Sequence, residues 1–310
     1  MIYHILAFIT VAIWGTTFVS TKMLLAYGLT PAAIFCMRFT MAYVGLLAAQ
    51  KLSYRQTLSK EPQPTWRCRS LKDELLMVVA GMTGGSMYFL TENTALQMAL
   101  AGNVSLIVCL APLITALFAL LFRFEKRATL KLWTGSLIAF TGVVFVAYGS
   151  TGGHPSTAAP APLAGNLLAL CSAMLWAVYQ LIIKPLAERY GTLMLTRKVF
   201  GYGVLTILPV VLAEDAIPWQ AITHPVVWGN LLYLGVIASL LCYAVWNRVT
   251  EAIGSLVSAN YIYLNPLVTC LASYAILDEA LTPAMVAGGL AILTGIYIVI
   301  APRRSHAPHS

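Results

Sequence analysis

Charge is what this chain has least of. Its 310 residues hold 19 Lys and Arg against 11 Asp and Glu, so charged residues make up 10% of the total. A soluble domain carries about 25%, so this chain could not keep a soluble surface wet. A buried His/Asp constellation is also missing. His4, His154, His224, His306 and His309 all fall at termini or in loops, which argues against a membrane-embedded enzyme. No G-x-x-x-x-G-K-[ST] phosphate loop occurs, which argues against ATP-driven pumping. The six cysteines include no C-x-x-C pair, so neither a disulfide framework nor a zinc site has support. Five of them lie inside apolar runs, where small buried packing residues are expected. No Lys or Arg precedes the first apolar run, and no A-x-A-like site ends it, so it reads as a permanent helix rather than a cleavable signal. The longest loop has about 24 residues, too short for the soluble domain that a polytopic sensor or scaffold would append.

Apolar residues fill the rest. They make up 59% of the chain, and mean hydropathy is +0.80. A helix needs about 20 apolar residues to cross a bilayer. The sequence supplies such runs near 3–24, 32–50, 75–94, 102–122, 130–149, 163–183, 193–213, 228–247, 256–276 and 282–301. They are unbroken and rich in Leu, Ala and Val, unlike the alternating segments of a β-barrel. Every second connection is basic. Of the 19 basic residues, 17 fall on one side, in 51–74, 123–131, 184–198, at Arg248 and in the tail. The positive-inside rule puts that side and both termini in the cytoplasm. The net charge of +8 is then an orientation signal and implies no nucleic-acid partner. Lys22 and Arg38 break the pattern. Lys22 lies near the outer end of the first span, where it could snorkel. Arg38 lies inside the second span and is open between a structural role and gating or substrate work.

The chain repeats itself. PLITALFALLFRFEKRATLKLWTG at 112–135 matches PLVTCLASYAILDEALTPAMVAGG at 266–289, an offset of 154 that pairs Pro112 with Pro266, Glu125 with Glu279 and Gly135 with Gly289. Asn93 pairs with Asn247 at the same offset, and Trp14 and Lys22 pair with Trp176 and Lys184 at an offset of 162. Each half then holds five spans. Five is odd, so the second half is inverted relative to the first, an architecture of secondary transporters. The expected fold is an all-α polytopic membrane protein with about ten transmembrane helices in two inverted five-helix repeats. The halves are 1–149 and 163–302, joined by a 150–162 linker and followed by a basic cytoplasmic tail at 303–310. Glu125 and Glu279 close the fourth span of each half. A carboxylate there can accept free backbone N–H groups at a helix start; proton coupling is the alternative. Gly135, Gly142 and Gly149, and separately Gly81 and Gly85, mark close helix packing.

The chain resembles the EamA-type members of the drug/metabolite transporter superfamily over residues 3–301. The resemblance is carried by AIWGTTFV in the first span, the Arg-Phe of MRFTMA, Pro112 and Pro266, Glu125 and Glu279, and the glycine-patterned fifth and tenth spans. It implies export of small metabolites, often amino acids, through a cavity lined mainly by the first, third, fourth, sixth, eighth and ninth helices. Small four-helix relatives use a glutamate in the first helix, and this sequence has no acid there. On the implied lining helices the candidate substrate-binding residues are Trp14, Thr17, Tyr88, Glu92, Asn93, Trp176, Tyr179, Gln180, Tyr243, Trp246, Asn247, Tyr263 and Asn265. Each has the alternative role of an interhelical hydrogen bond or an interfacial aromatic. Glu92 is open between binding a substrate amine, taking up a proton, and ending a helix in solvent. Lys22, Arg38, Glu125 and Glu279 are the gating or structural charges. The expected protein is a plasma-membrane secondary transporter, a monomer, with a small-molecule substrate, the lipid bilayer as partner and no cofactor or metal. Nucleotide-sugar or phosphorylated-metabolite exchange is the second reading; it asks for several basic residues at the cavity, and only Lys22 and Arg38 are available.

Overall fold

A computed structural model of the chain describes residues 1–57, 67–122, 130–149, 160–214, 219–253 and 261–300. Glu125, the 303–310 tail, residues 58–66 of the 51–74 connection and residues 150–159 of the linker lie outside them, as does the side chain of Asn247. Among the described residues every regular element is helical. The first half contains α1 (Ile2–Ala26), α2 (Pro31–Thr57), α3 (Leu71–Met98), α4 (Ala101–Leu121) and α5 (Leu130–Gly149). The second contains α6 (Pro162–Tyr190), α7 (Thr192–Ala213), α8, α9 (Asn265–Leu277) and α10 (Pro283–Ile300). α8 runs through Pro225–Leu232, Tyr233–Leu241 and Cys242–Ile253, after a single turn at Trp219–Ile222. Among the described residues seven helices are long and apolar enough to cross a membrane: α1, α2, α3, α4, α6, α7 and α8. Trp133–Val146, Asn265–Leu277 and Pro283–Ile298 are shorter apolar helices.

Local chemistry sets the ends. Ser70 caps α3 by accepting the Asp73 N–H at 3.1 Å, and Asp73 and Glu74 sit in the first turn, where the helix dipole favours them. Gly191, at φ 77°, makes the reversal from α6 to α7. Asp278 ends α9 in the left-handed conformation, and the Thr282 hydroxyl accepts the Met285 N–H to open α10. Pro112 and Pro266 both restart a helix rather than kink a continuous one. α4 breaks at Cys109–Leu110, and α9 begins after a turn at Tyr263–Leu264. The proline ring lacks the N–H that would carry the ladder through, so each break falls one turn before it. Of the run expected at 256–276, residues 256–260 lie outside the described ones; Tyr261 and Ile262 are helical, Tyr263 and Leu264 form the turn, and α9 follows from Asn265.

Sequence patterning did not anticipate one feature. α3 widens into a π-helix at Met82–Ser86, and α8 does so at Tyr233–Leu241. The 154-residue offset carries 82–86 onto 236–240, inside the second π segment. π turns inside α-helices are frequent at functional sites. In α3 the run Met-Thr-Gly-Gly-Ser has little side chain to fill the widened turn, and a Cβ on Gly84 would fall 2.3 Å from the Tyr179 ring.

Helix pairs pack in exchanged sets. α3 packs on α6 and α8 on α1; α1 packs on α9 and α6 on α4; α2 packs on α8 and α7 on α3. α2 with α7, α4 with α9, and α5 with α10 complete the bundle. The α5–α10 seam is backbone on backbone. A Cβ on Gly142 would lie 2.5 Å from the Gly288 carbonyl oxygen, and one on Gly295 would lie 2.4 Å from that of Gly135. This is the close approach that small-residue patterns permit. Outward faces carry large exposed apolar side chains, among them Leu137, Val144, Leu205, Leu212, Leu290 and Tyr297. Such a surface suits lipid and not water.

Candidate functional site

Where α1, α2, α3, α6, α7 and α8 meet, rings form a continuous chain. Trp246 lies on Trp14 with centroids 5.1 Å apart, and Trp14 meets Tyr243 at 6.0 Å. Tyr243 meets Phe200 at 5.5 Å, and Phe200 meets Phe39 at 5.0 Å. Phe39 meets Phe89 at 4.9 Å, and Phe89 meets Tyr88 at 4.7 Å. Tyr88 meets Trp176 at 5.0 Å, and Trp176 meets Tyr179 at 4.9 Å. Six of the candidate residues thus belong to one aromatic centre. Their pairing crosses the repeat: Trp14 of the first half meets Tyr243 of the second, and Trp176 of the second meets Tyr88 of the first. Phe39, Phe89 and Phe200 complete the chain and were not singled out from sequence. The only hint was Phe39 beside Arg38.

Two opposite charges are buried in this centre. Arg38 is 7% exposed and Glu92 is 6% exposed. Arg38 Nε donates to Ser239 Oγ at 2.7 Å, from the π segment of α8. Its guanidinium carbon sits 5.3 Å from the Phe39 ring centroid and 5.0 Å from that of Phe89, within cation–π range. Glu92 accepts a 2.5 Å hydrogen bond from the Tyr88 hydroxyl, one helical turn away. Glu92 and Arg38 are electrostatic neighbours, yet each bonds to a different partner. Arg38 therefore stands with the aromatic candidates rather than at a helix end. Glu92 is not a solvated helix end either.

The remaining candidates divide. Trp14 Nε1 donates to the Ala238 carbonyl at 3.0 Å, tying α1 to α8. Thr17 donates back to the Trp14 carbonyl at 2.6 Å. Asn93 donates to the Pro31 carbonyl at 3.1 Å and fixes α3 to the start of α2, an interhelical role. Gln180 is half-buried on α6. Tyr263 packs against the core built on α4 and α6, and Asn265 keeps a buried side-chain oxygen without a partner at the start of α9.

Charges also join the halves at both ends of the bundle. At the end where α1 stops, Lys22 Nζ reaches Glu279 at 2.5 Å and the Ala99 carbonyl at 2.8 Å. Glu279 accepts the Ala101 N–H at 2.8 Å, so it caps the start of α4, not that of α10 as the sequence suggested. The fold brings the turn after α9 onto the turn before α4, which spacing along the chain cannot reveal. At the other end Asp73 accepts from Arg189 at 2.9 Å and from the Tyr190 hydroxyl at 2.7 Å. Glu74 accepts from Lys198, from the Tyr202 hydroxyl and, at 2.9 Å, from the Cys68 N–H. Burial pushes the Cys68 thiol up to about 11, and its contact with Glu74 pushes the same way. The Asp73-Glu74 dipeptide, in a chain with few acids, was the signal that could have marked this cluster.

The profile of the EamA-like transporter family matches the chain at residues 1–148 and again at 163–301. The chain belongs to this family, and it is a multi-pass membrane protein. An uncharacterized transporter of Archaeoglobus fulgidus is 26% identical over 96% of this chain and 97% of its own length. A protein of Streptantibioticus cattleyicolor described as a "probable terminal-alkyne amino-acid exporter" is 26% identical over 94% of this chain and 91% of its own. A crystal structure at 20% identity shares the fold, with a TM-score of 0.59 over 96% of both chains.

Proposed function

We propose that this protein is a secondary transporter that exports amino acids or similar small metabolites across the cytoplasmic membrane by alternating access. The observation that carries the reading is the buried Arg38–Glu92 pair inside an aromatic centre built from both halves. Soluble substrates are polar, and a membrane interior offers them nothing. Polar groups set among aromatic walls are the usual make-up of a small-molecule site, and ionisable residues in a span mark substrate or ion pathways. The name of the Streptantibioticus relative supports amino acids over phosphorylated substrates. So does the supply of cations: Lys22 is held by Glu279, and among the described residues Arg38 is the cation seated against the rings of the centre.

In this reading the three shorter apolar helices also cross, giving ten spans in two inverted halves. The exchanged packing of α3–α6 with α8–α1, and of α1–α9 with α6–α4, supports that symmetry, as does the double match to the family profile. Both termini and the 51–74 loop face the cytoplasm. The test is purified protein in liposomes, screened for flux of a labelled amino-acid panel with and without a pH gradient. Flux of at least one amino acid above empty liposomes supports the reading, and flux of none defeats it.

A further inference from the structure

We infer that Arg38 and Glu92 form a two-charge clamp for a zwitterion, Arg38 taking the carboxylate and Glu92 the ammonium of one α-amino acid. The inference rests on the transport reading above and deepens it by assigning the charges. Burying one ion costs several kcal/mol unless it is paired. A direct Arg38–Glu92 bridge would satisfy both ions at once. Instead Arg38 bonds to Ser239, Glu92 bonds to Tyr88, and the two charges share the centre without bonding to each other. The partners each one has are neutral hydroxyls and ring faces. A ligand carrying both signs close together completes both charges and keeps the site neutral overall. A simple amine or a simple acid completes one and leaves the other.

The supporting groups fit the same assignment. Ser239 lies in the π segment of α8, and Tyr88 and Glu92 follow the π segment of α3, Tyr88 within its next turn and Glu92 one turn further on. A π turn can rejoin the α-helical ladder by a small register change, so each charge is carried beside an element able to adjust around a ligand. Among the described residues the other electrostatic neighbours of Arg38 are Tyr243, Tyr88 and Tyr233, none of them a carboxylate. Trp14, Tyr243 and Trp246 on one side, and Tyr88, Trp176 and Tyr179 on the other, offer flat apolar faces to a side chain. The clamp therefore favours large apolar or aromatic amino acids.

The test uses counterflow in liposomes with three probes: phenylalanine, phenethylamine, which lacks the carboxylate, and 3-phenylpropionate, which lacks the ammonium. Wild-type protein should favour phenylalanine over either analogue by at least about tenfold, the scale of one charge-assisted contact. Arg38→Lys and Ser239→Ala should each weaken phenylalanine several-fold and leave phenethylamine unchanged. Glu92→Gln should narrow the gap between phenylalanine and 3-phenylpropionate. Ser239→Ala keeps the charge, so it remains informative if Arg38→Lys fails to fold. Folded variants that shift all three probes by one common factor, or none, overturn the clamp while transport stands. Wild-type protein that carries none of the three, nor any amino acid of the wider panel, overturns clamp and transport reading together.

Discussion

Replacing Glu279 with Gln removes one charge and almost no volume, which makes it a clean probe of how the halves are joined. The carboxylate has 7% of its side chain exposed, and its partner Lys22 has 25%. Three contacts depend on it: Lys22 at 2.5 Å and the Ala101 N–H at 3.1 and 2.8 Å from the two oxygens. Gln keeps an oxygen for Ala101 but leaves the Lys22 ammonium with the Ala99 carbonyl. Breaking a fully buried pair costs about 3–5 kcal/mol, and an exposed one is worth about 0–1. Lys22 is a quarter exposed, so a loss of about 2–3 kcal/mol is expected. The assay is thermal unfolding in one detergent of the wild type, Glu279→Gln, Lys22→Met and the double variant. Each single change strands a partner, so the double variant should lose less than the sum of the singles by about 1–2 kcal/mol. Losses that add without any coupling would refute the ion pair as a fastening between the halves.

Trp14→Ala and Trp176→Ala should reduce transport strongly at equal membrane expression, whereas Trp133→Ala, on the exposed face of α5, should leave it near wild type in the same flux assay. Expression must be matched, because Trp→Ala in a packed interface can cost about 3–5 kcal/mol. Gly142→Leu should lower the unfolding temperature far more than Gly229→Leu, since only the first position meets backbone, 2.5 Å from the Gly288 carbonyl. The Cys68 thiol, raised from 9.0 to about 11, should hold about a hundredfold less thiolate at neutral pH than an ordinary cysteine. A raised pKa delays ionisation, so its labelling by maleimide should be slow at pH 7 and climb about tenfold per unit up to about 11. A rate that levels off below pH 9 would contradict the buried contact with Glu74. A single cysteine at Ser156 should label from outside intact cells, and one at Ser59 should not; the reverse pattern would invert the topology.

Most helices were legible because each needs only its own composition: an apolar run of bilayer length declares itself locally. The restart points were only half legible: Pro112 and Pro266 act on their own backbone, but the expected spans 102–122 and 256–276 run straight through them. The aromatic centre was half legible. Trp14, Tyr88, Trp176 and Tyr243 stood out as bulky aromatics at related places in a repeat, but Phe39, Phe89 and Phe200 look like ordinary membrane residues until the fold sets them edge to edge. The partners of charges were not legible. Glu279 pairs with Lys22 across 257 residues and caps a helix 178 residues earlier. Nothing in local spacing encodes such contacts. The π segments escaped for a subtler reason: a π turn changes the ladder by one residue and leaves no compositional mark beyond Gly84 and Gly85.

The central claim is that substrate passes through the Arg38–Glu92 centre between the two halves. Its most direct measurement is amino-acid counterflow in liposomes carrying equal amounts of folded wild-type protein or Glu92→Gln. The account predicts exchange by the wild type and at least a tenfold loss in Glu92→Gln, with Glu188→Gln, exposed near the far end of α6, exchanging normally. Exchange by Glu92→Gln at the wild-type rate would contradict it.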